Sequence, residues 1–228
     1  MKHSISIKTV NGVLSISDFK AQHVLKSEVI GVVLQTETIG LIISLDQWDE
    51  IWCSDENRKV FNKECGEAEA LQTLSGLELT RNIVKQNEKD GENMTAAMRC
   101  WQYKKGNLQW YLPSLYELGT IIAYRDELNE VLDIFDGDEF AKDDWGLSSS
   151  EYYDCNVWYV DYDRGNFYNG NVTPVYTVRA VSTFNPLQQN NLLRDSSNYP
   201  AFTEKSAIKY LQQLGYSGKL TKEINITI

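Results

Sequence analysis

The residues with the most distinctive chemistry lie in one segment, 148–184, where Tyr, Asn and Asp are interleaved with Ser and Gly. Six tyrosines and Phe167 occur within it. Tyrosine offers a large, rigid contact area at low entropic cost, and short polar side chains add adaptable hydrogen bonds, as in antibody loops. The segment therefore predicts a binding surface. The residues expected to supply most of it are Tyr152, Tyr153, Asp154, Asn156, Tyr159, Asp161, Asp163, Asn166, Phe167, Tyr168, Asn169 and Asn171.

Tyr162 is expected on the same surface. The alternative is that these tyrosines are ordinary strand residues, because aromatic side chains favour sheets. Asp and Asn flank them on both sides without apolar alternation, which favours exposure. A frame of apolar residues must hold such a surface outward. The residues predicted to be buried as that frame are Trp110, Leu112, Trp158, Val178 and Val181.

The same segment contains a restricted set of residue types. Residues 152–178 contain no Lys, Glu, Gln or Met, although Lys and Glu are common elsewhere in the chain. Every residue there except Trp158 can be encoded by a codon that ends in C. This set is reached when AAC codons are randomised at their adenines, so the segment is typical of adenine-directed mutagenesis.

Several short motifs follow one another in a recognisable order. The motifs are Trp110-Tyr111-Leu112-Pro113-Ser114 with Glu117-Leu118, Ser148-Ser149-Ser150-Glu151-Tyr152, Val157-Trp158, Gly165-Asn166 and Val178-Arg179-Ala180-Val181. Together they resemble the variable proteins of diversity-generating retroelements over about residues 28–185. The first motif is similar to the W-x-L-P-[ST]-x-x-E helix start in the formylglycine-generating-enzyme-like branch of the C-type lectin-like fold.

The resemblance implies an α+β, C-type lectin-like fold with two helices and a small mixed or antiparallel sheet. It also implies that the randomised surface binds a protein or glycan ligand on another cell surface, as phage-encoded or bacterial-surface adhesins of this family do. The alternative is a formylglycine-generating-like enzyme or a relative that binds a small molecule in a pocket.

Catalytic residues are not expected in this chain. Its only histidines are His3 and His23, near the N-terminus, and it has no GxSxG, Walker-type or HExxH motif. Cys155 is a lone cysteine in the diversified segment and is interpreted as a sampled residue. We therefore predict a binding protein that is not an enzyme.

Metal ions and other cofactors are not expected either. In the run from Asp161 to Gly165, glycine stands where a calcium loop needs its third oxygen ligand, and no Glu stands at the twelfth position. The chain also lacks the Trp-Asn-Asp run of a sugar-binding calcium site. Residues 133–144 are interpreted as a solvated acidic loop.

Composition limits the partners further. The 228 residues carry a formal net charge of −10, which disfavours nucleic acid. No apolar run is long enough to insert into a membrane, and no secretory signal is visible, so we expect synthesis in the cytoplasm and incorporation into a virion, such as a phage tail, or display on a bacterial surface. The four cysteines, without a CxxC pair, indicate reduced thiols.

The secondary structure that must position this surface can be predicted in outline. Asn11-Gly12 indicates a hairpin within an N-terminal segment, 1–27. A ligand-binding domain, 28–185, is expected to follow. Its predicted elements are strands at 29–35 and 41–45, a helix at 67–86 weakened by Gly76, a loop at 85–93, a short helical segment at 94–103 and a helix at 114–131 opened by Pro113.

A C-terminal extension, 186–228, is expected beyond that domain. Residues 185–191 are predicted as a linker, 204–214 as an amphipathic helix and 224–228 as a short strand. This extension is expected either to pack on its own domain or to mediate assembly into a homo-oligomer or a larger particle.

Overall fold

The structure is a computed structural model that describes residues 3–54, 62, 64–72, 75–90, 95–153 and 156–185. The chain divides into two units, 1–189 and 190–228, and every described residue belongs to the first. The linker, helix and strand predicted after residue 185 lie outside the described residues, as do Asp154 and Cys155.

The described residues form strands and helices in an α+β arrangement, as predicted. The strands are β1 Ser4–Thr9, β2 Gly12–Leu14, β3 Val29–Gln35, β4 Gly40–Ser44, β5 Trp48–Ile51, β6 Trp145–Glu151, β7 Asn156–Asp161, β8 Phe167–Asn171, β9 Val175–Val178 and β10 Val181–Thr183. The helices are α1 Ile16–Gln22, α2 Glu67–Ala70, α3 Gly76–Asp90, α4 Thr95–Gln102, α5 Leu115–Ala123 and α6 Arg125–Ile134.

The first sheet is antiparallel, with strand order β10-β4-β3-β1-β2. The predicted hairpin at Asn11-Gly12 is confirmed, because Thr9 pairs with Gly12 across the turn. β1 also pairs with β3, from Ser4 opposite Gln35 onward. The N-terminal segment therefore contributes two strands, β1 and β2, to the first sheet.

The central strands β3 and β4 are covered on both faces. Val32 and Ile43 pack in a core cluster with α5 and α6. Val33 and Ile42 pack in a second cluster that contains Trp110. A strand covered on both faces has no solvent side, which explains why both strands are continuous apolar runs in the sequence.

The second sheet has strand order β5-β9-β6-β7-β8 and is built mainly from the segment that was predicted to bind. Its strands pair antiparallel, except that β6 and β9 run parallel, with Gly146 opposite Thr177. Tyr111 forms a separate antiparallel bridge with Val181, so the chain before α5 is tied to the last strand.

The prediction of one helix over residues 67–86 is wrong, because this stretch does not form a single helix. The structure has α2 and α3 instead, and Gly76 begins the second helix. The N–H of Gly76 donates to Glu117 Oε2 at 3.2 Å, so a partner from α5 stabilises this new helix start. The loop predicted from residue 85 is also corrected, because α3 continues to Asp90.

The helix predicted over residues 114–131 begins as expected but is broken. Ser114 and Glu117 form a reciprocal capping box at the start of α5. Tyr124, with ψ of 20°, separates α5 from α6, and α6 continues to Ile134, inside the predicted acidic loop. No Gly or Pro marks the break. The guanidinium of Arg125 instead donates to the carbonyls of Tyr162 and Asp163, contacts that no local sequence pattern reveals.

Gly146 gives a direct test of this packing. A Cβ atom placed on Gly146 would lie 2.6 Å from Cζ of Tyr162, a buried ring that cannot move aside without disturbing the core. We expect Gly146→Ala to lower the free energy of unfolding by about 1–3 kcal/mol, the usual cost of overpacking. Urea denaturation measures this change.

Gly66→Ala is the matched control, because no atom of the described residues lies within 4 Å of its added Cβ. It should change the free energy of unfolding by well under about 1 kcal/mol. Equal losses in the two variants would contradict the close packing of Tyr162 on β6.

Candidate functional site

The predicted frame of the binding segment is confirmed. Trp110, Leu112, Trp158, Val178 and Val181 are all buried. The indole N–H of Trp158 donates to the carbonyl of Cys65 at 3.0 Å, so its polar atom is satisfied inside the core. The side chains of β7 therefore alternate as the sequence analysis required, with Trp158 pointing into the core.

The serine run before β7 is also structural. Ser148, Ser149 and Ser150 are buried, and each hydroxyl has a partner. Ser148 Oγ donates to the carbonyl of Trp158 at 2.7 Å, and Ser149 Oγ donates to that of Pro113 at 3.1 Å. Ser150 Oγ accepts the N–H of Leu115 at 3.0 Å. These contacts fasten β6 to the start of α5, so the serine motif positions the site and is not part of its surface.

Arg179, in the Val178-Arg179-Ala180-Val181 motif, is a buried cation that joins three parts of the fold. Its guanidinium donates to the carbonyl of Ser44 at 2.9 Å, to Gln47 Oε1 at 2.9 Å and to the carbonyl of Asp138 at 2.6 Å. It also lies 4.1 Å from the ring centre of Phe140. Burial lowers the pKa of Arg179 to about 10, so the group remains charged at neutral pH.

Glu117 is a buried carboxylate at the start of α5. It accepts the N–H of Ser114 at 2.9 Å, the N–H of Gly76 at 3.2 Å and the hydroxyl of Tyr111 at 3.0 Å. Burial raises the pKa of Glu117 to about 7, an effect that these hydrogen bonds partly offset. A perturbed carboxyl of this kind can mark a catalytic site. Here all three donors belong to helix starts and the core, so we assign Glu117 a structural role.

The exposed feature of the second sheet is a cluster of four aromatic side chains, Trp145, Tyr159, Tyr168 and Tyr176, here called the aromatic patch. The ring of Trp145 lies 5.5 Å from that of Tyr159 and 5.3 Å from that of Tyr168. Tyr159 stacks on Tyr168 at 6.0 Å and lies 4.8 Å from Tyr176. Trp145 is 41% exposed and Tyr168 is 38% exposed, so the patch presents aromatic area to solvent.

The two inner rings of the aromatic patch are held in place. Tyr159 and Tyr176 are half-buried, and both pack against the core cluster that contains Leu147 and Val157. Desolvation, followed by the proximity of Tyr159, raises the pKa of Tyr176 to about 12. A Cβ placed on Gly170 would lie 3.2 Å from Tyr159 and 3.3 Å from the Tyr176 hydroxyl, so both side chains rest close over β8.

A cleft of about 500 Å³ adjoins the aromatic patch. Asp49 on β5 and Asp143 just before β6 are exposed at its edge, and Asp144 is half-buried. Asp144 Oδ2 accepts a hydrogen bond from Gln47 Nε2 at 3.0 Å. We call this the acidic cleft; its remaining lining residues are Trp145, Tyr159, Val175, Tyr176 and Thr177.

The prediction that Tyr162 lies on the binding surface is wrong. Tyr162 is buried and packs edge-on against Phe140, with ring centres 5.4 Å apart. β7 ends at Asp161, and the turn that follows directs the next side chain into the space left by Gly146. Within the described residues its hydroxyl has no hydrogen-bond partner, and burial raises the pKa of Tyr162.

The other predicted site residues do not all lie together. Tyr159 and Tyr168 belong to the aromatic patch. Tyr152 packs on Trp158, with ring centres 5.0 Å apart, and Phe167 packs against the same core cluster, over Gly119 of α5. Six residues of the predicted set are exposed. Tyr153 lies beside Tyr152, and the other five lie on or near β8: Asp163, Asn166, Tyr168, Asn169 and Asn171.

The turn between β7 and β8 is organised by its own polar groups. The N–H of Asp163 donates to Asp161 Oδ1 at 2.8 Å, and the N–H of Gly165 donates to the carbonyl of Asp161 at 2.8 Å. Gly165 has φ of 68°, a left-handed conformation that favours glycine. The described part of the chain contains no group of three or more His, Cys, Asp or Glu residues that could hold a metal ion.

Sequence reasoning missed two members of the aromatic patch. Trp145 lies just before the segment 148–184 and was not assigned to the surface, and Tyr176, although counted among the tyrosines of the segment, was left out of the predicted site residues. The available signal was alternation, since Val175 and Thr177 flank Tyr176 and point to the opposite face. Trp145 joins the patch through strand pairing, in which it lies opposite Asp161 of β7.

Comparison with known proteins adds evidence on the fold. No protein-family model matches this sequence, and a search of curated proteins finds no match. Among solved structures, a fimbrial protein from Bacteroides ovatus ATCC 8483 is similar, with a TM-score of 0.51 and 15% sequence identity. The match covers 64% of this chain but only 36% of the fimbrial protein, so the chain spans about a third of that protein's length.

At that level of identity the similarity concerns the fold alone. The structure adds one observation relevant to location, which is that none of the described helices is long and apolar enough to cross a membrane.

Proposed function

We propose that this chain is a ligand-binding module with a C-type lectin-like fold, of the kind that diversity-generating retroelements vary, and that it binds a protein or glycan on another cell surface. The observation that carries the proposal is the aromatic patch. Four rings form one contiguous cluster on the sheet, and two of them, Trp145 and Tyr168, are substantially exposed. Clustered, partly exposed aromatic side chains are typical of binding surfaces.

The rigidity of the supporting sheet favours binding. Tyr159 and Tyr176 pack against the buried Val157 and Leu147 of the same core cluster, and Arg179 connects the end of β9 to the first sheet. Side chains held in place before binding lose little conformational entropy when a ligand arrives. The patch can therefore contribute affinity without first becoming ordered.

A role at a cell or virion surface agrees with the fold comparison. The similar solved structure is a fimbrial protein, which makes an adhesin-like role compatible with this fold. Assembly of the chain into a homo-oligomer, or into a larger particle through residues 190–228, remains a prediction.

The proposal is for binding without catalytic turnover and without a metal ion or cofactor. The described cysteines, Cys53, Cys65 and Cys100, are buried, and burial raises the pKa of the Cys100 thiol, which disfavours a reactive thiolate. His3 Nε2 lies 2.8 Å from Glu127 Oε2, so the imidazole is engaged by a surface carboxylate. These observations disfavour a nucleophilic role for the described cysteines; Cys155 lies outside the described residues.

Sequencing this locus across related isolates tests the proposal. Codons for exposed positions such as Tyr168, Asn169 and Asn171 should differ among isolates. Codons for the buried neighbours Trp158 and Tyr162 should stay constant, because changes there would cost folding stability.

Two results would contradict the claim of diversification. One is uniform codons throughout residues 152–178, and the other is differences spread evenly through residues 1–140. Trp145 serves as an internal reference, because the Trp codon does not end in C. It should remain constant while its patch partner Tyr168 varies.

A further inference from the structure

The aromatic patch is bordered by negative charge. Asp49 and Asp143 are exposed where the acidic cleft meets Trp145 and Tyr176. Within the described residues, no Lys, Arg or His forms an ion pair with either carboxylate. Both charges are therefore available to a ligand that lies over the patch.

The negative charge extends beyond the acidic cleft. A second cleft of about 310 Å³ shares Asp49 and Asp144 with it and adds Asp138 and Glu139. Neither cleft has a Lys or Arg among the described residues that line it. Carboxylates that surround a low-dielectric aromatic surface raise the local concentration of cations.

The positive groups near the clefts offset only part of this charge. Arg179 is buried and donates to two carbonyls and an amide oxygen, so it offsets one negative charge without presenting its guanidinium at the rim. Arg99 lies 5.2 Å over the ring of Trp48. Lys142 is exposed next to Asp143 in the sequence, without a described ion pair to it. The rim of the acidic cleft therefore stays net negative.

Aromatic faces and carboxylates together select one kind of ligand group. The faces of Trp and Tyr attract ammonium and guanidinium ions, and carboxylates form charge-assisted hydrogen bonds with the same ions. The long apolar stem of Lys or Arg can lie on the rings while its charged end reaches the acids. A neutral sugar could also stack on the rings and donate hydroxyl hydrogen bonds to the two carboxylates, but it carries no positive charge for them to attract.

We propose that the aromatic patch and acidic cleft bind a protein segment that presents Lys or Arg side chains, with the side-chain stems over Trp145 and Tyr159 and the charged groups at Asp49 and Asp143. This inference rests on the proposed binding function and specifies its ligand as a basic protein surface.

A paired-probe experiment tests the inference. The full-length protein is fluorescently labelled and applied to two arrays, one of random peptides and one of neutral glycans. In the peptide array, each peptide that contains Lys or Arg has a partner with Gln at those positions. We expect binding to the Lys and Arg peptides and not to their Gln partners. Affinities of the hits are then measured by titration.

Three variants report on the mechanism. Trp145→Ala should abolish detectable binding to the basic peptides. The double variant Asp49→Asn/Asp143→Asn should weaken it about tenfold, equivalent to about 1.4 kcal/mol, and should make binding less dependent on salt. Glu78→Gln/Glu88→Gln removes the same charge from exposed positions on α3, outside both clefts, and should leave affinity unchanged.

The outcomes separate this inference from the function on which it rests. Equal binding to the Lys and Gln peptides, no peptide binding at all, or equal losses in the two double variants would overturn the inference. Binding of a neutral glycan that requires Trp145 but tolerates Asp49→Asn/Asp143→Asn would overturn it while leaving the proposed function in place. Binding of any probe that is unaffected by Trp145→Ala would count against both.

Discussion

Replacement of Arg179 by Met is expected to lower the free energy of unfolding by about 1–3 kcal/mol, because one buried and two part-buried acceptors lose their hydrogen-bond donor. Methionine can fill the space but cannot donate hydrogen bonds. The carbonyls of Ser44 and Asp138 and Oε1 of Gln47 would lose their donor together. Each buried acceptor left unpaired carries a desolvation cost. Chemical denaturation at neutral pH measures the change.

Arg164→Met is the matched control for this substitution. Arg164 is exposed in the turn before β8, and its closest described carboxylate oxygen, on Asp163, is 3.7 Å from Nε. The same change in charge and shape should alter the free energy of unfolding there by less than about 0.5 kcal/mol. If Arg179→Met and Arg164→Met unfolded at the same urea concentration, the bridging role of Arg179 would be refuted.

The second large effect concerns pH. The pKa of Glu117 is about 7 in the folded protein, against 4.5 for an unperturbed Glu, because burial disfavours the charged carboxylate. Between these two values the folded chain binds a proton that the unfolded chain releases. The stability contributed by the protonated form is therefore complete below about pH 4.5 and is lost as pH rises through 7, by up to about 3 kcal/mol.

Glu117→Gln removes this titration. Its free energy of unfolding should vary less between pH 5 and 8 than that of the unmodified protein, whereas Glu78→Gln, at an exposed position on α3, should keep the original slope. The slope is the informative quantity, because the amide also alters the contacts with Gly76 and Ser114 and so shifts the absolute stability. Parallel pH profiles for all three proteins would show that Glu117 does not titrate in this range.

Local sequence signals predicted the parts of the fold that depend on neighbouring residues. Asn11-Gly12 marks a turn, and Ser114 with Glu117 marks a helix start, through interactions that span a few residues. The inward orientation of Trp158 followed from a large apolar side chain in a polar segment. Each of these features can be recognised without knowing what lies across the core.

The features that were missed depend on contacts between distant segments. Tyr162 is buried because Gly146, on the adjacent strand, leaves room for its ring. α5 and α6 are separate although no helix breaker stands at Tyr124. The aromatic patch was only half predicted, because Trp145 and Tyr176 join it through strand pairing that a one-dimensional pattern does not specify.

The edge position of β8 has an evolutionary consequence. Among the described strands β8 pairs only with β7, through backbone hydrogen bonds that any non-proline side chain permits, and Tyr168, Asn169 and Asn171 are exposed on it. Substitutions at these positions leave the buried layer beneath them intact. Under the proposed function, selection for folding and selection for ligand specificity would act on largely separate sets of codons. A lineage could explore a broad repertoire of specificities here without each new variant having to regain its stability elsewhere.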